Sequence, residues 1–205
     1  MKNYDLTDED GMLLVQTARK IVTEYIIKHH KLVLDEKLKK RFSFDAGLFV
    51  TLNISLDLRG CIGFPMPKKL NHALIDAAIA ASTEDPRFSP VTESELDEIT
   101  FEITVLTPPK EIKVNDPSDL VSQIKVGRDG LIISQGFYSG LLLPQVPVEY
   151  GWTEEEFLSH TCQKAGLPSN CWKNKKTRIS SFEGVIFKEK TPKGKIIRKD
   201  LSQFS

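Results

Sequence analysis

With 205 residues, 40% of them apolar, the chain is long enough to bury a substantial core without covalent or metal staples. Its 28 basic and 28 acidic side chains cancel, and with no run of about 18 apolar residues this excludes a disordered chain and a membrane-spanning helix. Three cysteines, Cys61, Cys162 and Cys171, are odd in number and sparse, which argues for reduced thiols. The start leads into acidic Asp8-Glu9-Asp10 rather than an apolar signal core, so a cytoplasmic protein is expected.

Thr7 opens the first predicted helix, with three acids opposing the macrodipole in its first turn and Leu14, Ala18, Ile21, Val22 and Tyr25 as a buried stripe. It ends near His29-His30, adjacent residues that diverge on a helix and read as a solvated end rather than a metal site. Leu48 to Leu52 alternates as a strand, Asn53-Ile54-Ser55 supplies a turn, and a second strand returns through Leu58-Arg59-Gly60-Cys61-Ile62-Gly63. The prolines of Phe64-Pro65-Met66-Pro67 are expected to end that ladder. Asn71 is the expected cap of an alanine-rich helix through Ala81, followed by the proline-bounded loop Thr83 to Pro90. Ile99, Phe101, Ile103 and Val105 alternate as the next strand, whose other face carries Glu102.

In the second half, Pro117 to Leu120 starts a short helix and Gly127-Arg128-Asp129-Gly130 turns into a strand from Leu131 to Ser134. Another strand runs from Phe137 to Leu143 and stops at Pro144. The stretch Pro144-Gln145-Val146-Pro147 is too restricted for a flexible linker, so Gln145 is expected at a definite place. Thr153 with Glu156 makes a capping box, Trp152 with Phe157 a staple, and Gly166 the stop of a helix that puts Cys162 in the core. A strand from Ile179 to Glu189 and a hairpin around Pro192-Lys193-Gly194 complete the chain. Hairpins separated by helices predict an α+β fold of largely antiparallel strands, in a single domain over 1–205 or two intimately packed lobes.

The chemistry concentrates at residues 58–63. Period-two spacing puts Leu56, Leu58, Ile62 and Phe64 on one face and Arg59 with Cys61 on the other, where a guanidinium beside a thiol favours the thiolate. Gly60 and Gly63 leave room for a ligand or another backbone to approach. The competing reading is a bulge or tight packing around a small buried cysteine. Glu102 is the candidate acid or base, and Asp85 and Arg87 either pair with one another or face a cleft. His160, Cys162 and Cys171 do not have zinc-site spacing, and no nucleotide loop, zinc-protease motif or serine elbow is present, so neither a metal nor a cofactor is expected. The basic stretch Lys188 to Lys195 lacks interleaved aromatics and reads as a solvated end rather than a nucleic-acid interface.

Together these segments resemble the AMMECR family. The resemblance rests on Leu58-Arg59-Gly60-Cys61-Ile62-Gly63, supported by Asp85-Pro86-Arg87-Phe88, by Glu102 with Val105-Leu106, and by Gly127-Arg128-Asp129-Gly130-Leu131. Gly140-Leu141-Leu142-Leu143-Pro144-Gln145-Val146 and Lys164-Ala165-Gly166-Leu167 follow in the expected order, and Thr104 stands where a serine is expected. It implies an α+β domain of two similar β-rich halves and association with Memo-like and radical-SAM proteins. It names no reaction, implying only a basic cellular process such as transcription, translation or repair. Two functions compete: an enzyme using Cys61, Arg59 and Glu102, with Gly60, Gly63, Asp85, Arg87 and Gln145 around the substrate, or a non-catalytic module for a small ligand or protein partner.

Overall fold

A computed structural model describes residues 6–199. Its elements, in chain order, are α1 (Asp8–Lys28), α2 (Glu36–Arg41), β1 (Asp45–Ile54), β2 (Asp57–Lys69), α3 (Leu70–Thr83), β3 (Ile99–Leu106), β4 (Lys110–Glu111), α4 (Leu120–Gln123), β5 (Asp129–Gln135), β6 (Tyr138–Leu142), α5 (Gln145–Tyr150), α6 (Glu154–Lys164), β7 (Arg178–Glu189) and β8 (Ile196–Lys199). The fold is α+β, and β1 with β2, β1 with β3, β4 with β7, β5 with β6, β5 with β7 and β7 with β8 all pair antiparallel. The described residues divide into two units, 6–106 with 185–199 and 107–184, so that β7 begins in the second and ends in the first.

In the first unit β1 is flanked by β2 and β3, and α3 connects those two flanking strands. Leu48, Val50 and Leu52 of β1 and Ile103 of β3 are fully buried in one cluster with Leu70, Ala73, Leu74, Ala77 and Ala78 of α3. The α1 stripe joins them through Leu14, Val15, Ala18, Ile21 and Val22, all inaccessible, each larger side chain worth roughly 2 kcal/mol of burial. Thr7 closes a capping box with Asp10 at the start of α1, and His29 ends the helix in the left-handed conformation at φ 52°. Arg19 ties α1 to the end of β7, donating to Glu189 at 2.5 and 2.8 Å and to the carbonyls of Leu96 and Ile99. Glu189 in turn accepts from the Phe101 amide, so a nearly buried ion pair has its remaining valences filled.

The second unit has the same order of elements. Strand β5 is flanked by β6 and by the first half of β7, and α6 connects the two. Leu131 and Ile133 pack in one cluster with Phe157, Leu158 and Cys162 of α6, with Leu120 of α4 and with Ile179 and Trp172. β4 adds a short pairing on the free side of β7.

Three expectations need correcting. Strand β2 continues through Pro65 and Pro67 to Lys69, because it is an edge strand where a missing amide costs no ladder bond. α3 starts at Leu70 with Lys69 as its cap, while Asn71 lies inside the first turn and donates to the Lys39 carbonyl. In keeping with its expected restriction, Pro144-Gln145-Val146-Pro147 opens the short helix α5, proline being tolerated where helix amides lack partners anyway. Cys162 and Cys171 form a disulfide with their Cα atoms 5.9 Å apart, against the expectation of reduced thiols. The turn at Gly166 and Pro168 folds residues 171–173 back against α6, a proximity that nine residues of separation do not announce.

Candidate functional site

The site is built on a register irregularity. Leu52 pairs with Gly60 but Asn53 pairs with Leu58, so Arg59 is an extra residue on β2 and the alternation breaks there. Leu58 thereby joins the face that carries Cys61, 38% exposed, and Leu56 in the turn is fully exposed. Only Ile62 and Phe64 of the predicted apolar face pack on the core. The bulge also separates Arg59 from the sulfur. Its guanidinium donates to Glu95 at 2.6 and 3.2 Å and to the carbonyls of Ser89 and Pro90, over the Phe88 ring. Glu95 simultaneously caps the turn at Thr92, and the Arg59 charge holds its carboxyl down at about 2.

The cation that does act on Cys61 is Arg87. Asp85, almost fully buried, accepts from the Cys61 amide at 2.8 Å and is gripped by Arg87 through Nε at 2.9 Å and Nη2 at 2.7 Å. Arg87 Nη2 also reaches the Cys61 carbonyl at 3.4 Å. Because Cys61 directs both backbone groups away from β1, the two side chains occupy the place of a missing neighbouring strand. The Arg87 guanidinium and the two backbone amides hold Asp85 well below the usual carboxylate range. Asp85 and Arg87 therefore pair with one another, and what they position is the backbone of Cys61.

Across the sheet, Cys61 pairs with Thr51 and Thr51 with Glu102, a row of thiol, hydroxyl and carboxylate on adjacent strands. Thr51 Oγ1 donates to the sulfur at 3.3 Å. Cys61 and Glu102 are both half-buried, and strand spacing separates their Cα atoms by about 10 Å. In the next row Thr104 pairs with Phe49, and its hydroxyl is buried without a hydrogen-bond partner. Burial pushes the Cys61 thiol up from its ordinary value, and the Glu102 and Asp85 charges add to the rise, against the pull of Thr51 and Arg87. Burial thus opposes the thiolate that a neighbouring Arg59 is expected to favour.

Neither glycine of the motif leaves a vacant approach. A Cβ at Gly60 would lie 2.1 Å from the Ala81 carbonyl oxygen of α3, and one at Gly63 would lie 2.2 Å from the Leu48 oxygen and 2.5 Å from the Phe49 ring. Backbone and ring take the space expected for a ligand. Gln145 belongs to the second unit, where its Oε1 is buried without a partner. The sequence reading overlooked Thr51 and Glu95, and noted Thr104 only as a departure from the family pattern. The capping box Thr92-x-x-Glu95 was a legible signal for the second, and Thr51 follows only once the hairpin register is known.

These features define an α+β protein whose two units share one hairpin–helix–strand plan, the first carrying a polar row about a half-buried thiol. A model of the AMMECR1 family matches residues 15–187, and the chain belongs to that family. A protein of Thermococcus gammatolerans is 50% identical over 204 residues, covering 97% of this chain and 99% of its own. Protein MJ0810 of Methanocaldococcus jannaschii is 50% identical over 199 residues, covering 96% and 98%. The crystal structure of the uncharacterized protein PH0010 from Pyrococcus horikoshii superposes with a TM-score of 0.89 at 46% identity, covering 96% of this chain and all of that one. No helix among the described residues is long and apolar enough to cross a membrane.

Proposed function

We propose that the Cys61–Thr51–Glu102 row is the binding site for a small polar ligand, with Cys61 acting as a neutral thiol. The observation that carries this reading is the paired fate of the two expected partners: the sulfur is raised by burial, and Arg59 is spent on Glu95. Asp85 and Arg87 act as positioning residues that fix the Cys61 backbone. In this reading the chain is one cytoplasmic domain of two lobes whose partners are a small ligand or proteins, Memo-like and radical-SAM proteins among them, rather than nucleic acid.

A catalytic reading draws on one feature, the Thr51 hydroxyl that would stabilise a thiolate at Cys61 with Glu102 taking its proton. The two part in a thermal-shift screen of small polar metabolites against the wild type, Cys61→Ser and Glu102→Gln. A compound that stabilises the wild type and Cys61→Ser but not Glu102→Gln supports binding. Consumption of that compound by the wild type and not by Cys61→Ser overturns it in favour of catalysis. Iodoacetamide labelling of Cys61 should be slow near neutral pH and rise with a midpoint above 9.0, the ordinary value for the thiol.

A further inference from the structure

A cavity lies wholly inside the second unit, away from the thiol. It encloses about 440 Å³ between the segment that follows β4 and the segment that leads into β7. Its floor is apolar, formed by Leu120, Trp172 and Ile179, each no more than 4% exposed. Its rim is polar and exposed, carrying Lys113, Lys175 and Asn174. That size and layering match a small-molecule site, in which a greasy body is buried and a few polar groups fix its orientation.

The rim also states a preference of charge. Among the described residues neither Lys113 nor Lys175 forms an ion pair, so both ammonium groups at the rim are open to an anion. Asp116, close enough to feel Lys175, is committed to the amide and hydroxyl of Ser118. Asn174 accepts the Lys176 amide through its oxygen, which leaves its NH2 group as a donor. Glu111 is the one carboxylate in the lining. The wall is fixed in advance. The Cys162–Cys171 disulfide anchors the residue before Trp172, Thr177 Oγ1 donates to the Cys171 carbonyl at 2.7 Å, and Trp172 Nε1 reaches Ser159 Oγ at 3.4 Å.

We infer that this cavity binds a small organic anion with an apolar body, the body on Trp172, Leu120 and Ile179 and the acid group between Lys113 and Lys175. This site is separate in residues from the Cys61 row and does not rest on the function proposed there. The probe is 1-anilinonaphthalene-8-sulfonate, compared with N-phenyl-1-naphthylamine, which has the same aromatic body without the sulfonate, titrated by dye fluorescence and calorimetry.

The sulfonate should bind one per chain, at least tenfold more tightly than the neutral dye. Lys113→Ser with Lys175→Ser should weaken it about tenfold, a loss of about 1.4 kcal/mol. Glu111→Gln should tighten it. Val114→Trp, at a half-buried lining position, should abolish binding by filling the space while the melting temperature is retained. Equal affinity for the two dyes, or affinity unchanged by the lysine pair, overturns the anion assignment. Binding that survives Val114→Trp places the dye elsewhere and overturns the site. Cys61→Ser should alter none of these values.

Discussion

The two units solve one packing problem and secure the solution differently. In each, a hairpin strand runs beneath the end of a helix, and a glycine makes the contact: Gly60 against the Ala81 carbonyl, Gly140 against the Ala165 amide. Each glycine pairs with a buried aliphatic residue of the middle strand, Leu52 or Ile133, which pairs onward with Phe101 or Ile179. One row further along, the equivalence ends. The first unit has Cys61, Thr51 and Glu102 where the second has Leu141, Ile132 and Ser180. Backbone packing therefore sets the glycines in both units, and the row above them is free to carry chemistry in one.

The return from helix to third strand differs as well. After α3 the loop is held by charge, through Arg59 with Glu95 and through Asp85 with Arg87 and the Cys61 backbone. After α6 it is held by the Cys162–Cys171 disulfide. One anchor is lost to acid and the other to reductant.

The largest effect tests what the units share. Gly60→Ala and Gly140→Ala each force a Cβ to within 2.1 and 2.3 Å of backbone atoms, and each should cost about 3 kcal/mol in urea denaturation. A large loss from one and none from the other would break the equivalence. Next is the covalent anchor. Cys171→Ser, or reduction of the wild type, should remove about 2.5 kcal/mol, the loop entropy expected for residues nine apart, and should leave Cys61 labelling unchanged.

The charged anchor gives the smallest effect at neutral pH. Asp85→Asn should cost about 2 kcal/mol there, because a buried carboxylate loses charged hydrogen bonds. Asp85 and Glu95 are both depressed in the folded state, from 3.8 and from 4.5 respectively. Their contribution is present above those ordinary values and lost as pH falls through the folded ones, for Glu95 down to about 2. Acid titration followed by circular dichroism should thus show a shallower decline in Asp85→Asn, whereas Cys171→Ser should keep the wild-type slope.

What the sequence made legible was local. Capping boxes at Thr7 and Thr153, the alternation of residues 99–105 and the Gly-Arg-Asp-Gly turn all lie within a few residues of the elements they define. The hairpin register was less so, because an inserted residue at Arg59 reverses which side chains share a face and nothing in the local spacing marks it. For the same reason Cys61 was found but its neighbours were misassigned: Arg59 was expected at the sulfur, and Thr51, ten residues earlier, is the group that touches it. The disulfide was hidden because an odd cysteine count carries no pairing information.

The Asp85–Arg87 grip on β2 has an effect beyond the molecule itself. A sheet margin with bare amides and carbonyls is a template for another copy, and at Cys61 both groups are already taken by side chains. The same contacts that orient the thiol therefore deny a second chain its first hydrogen bonds. Variants that release the grip should form intermolecular β-aggregates during refolding at high protein concentration.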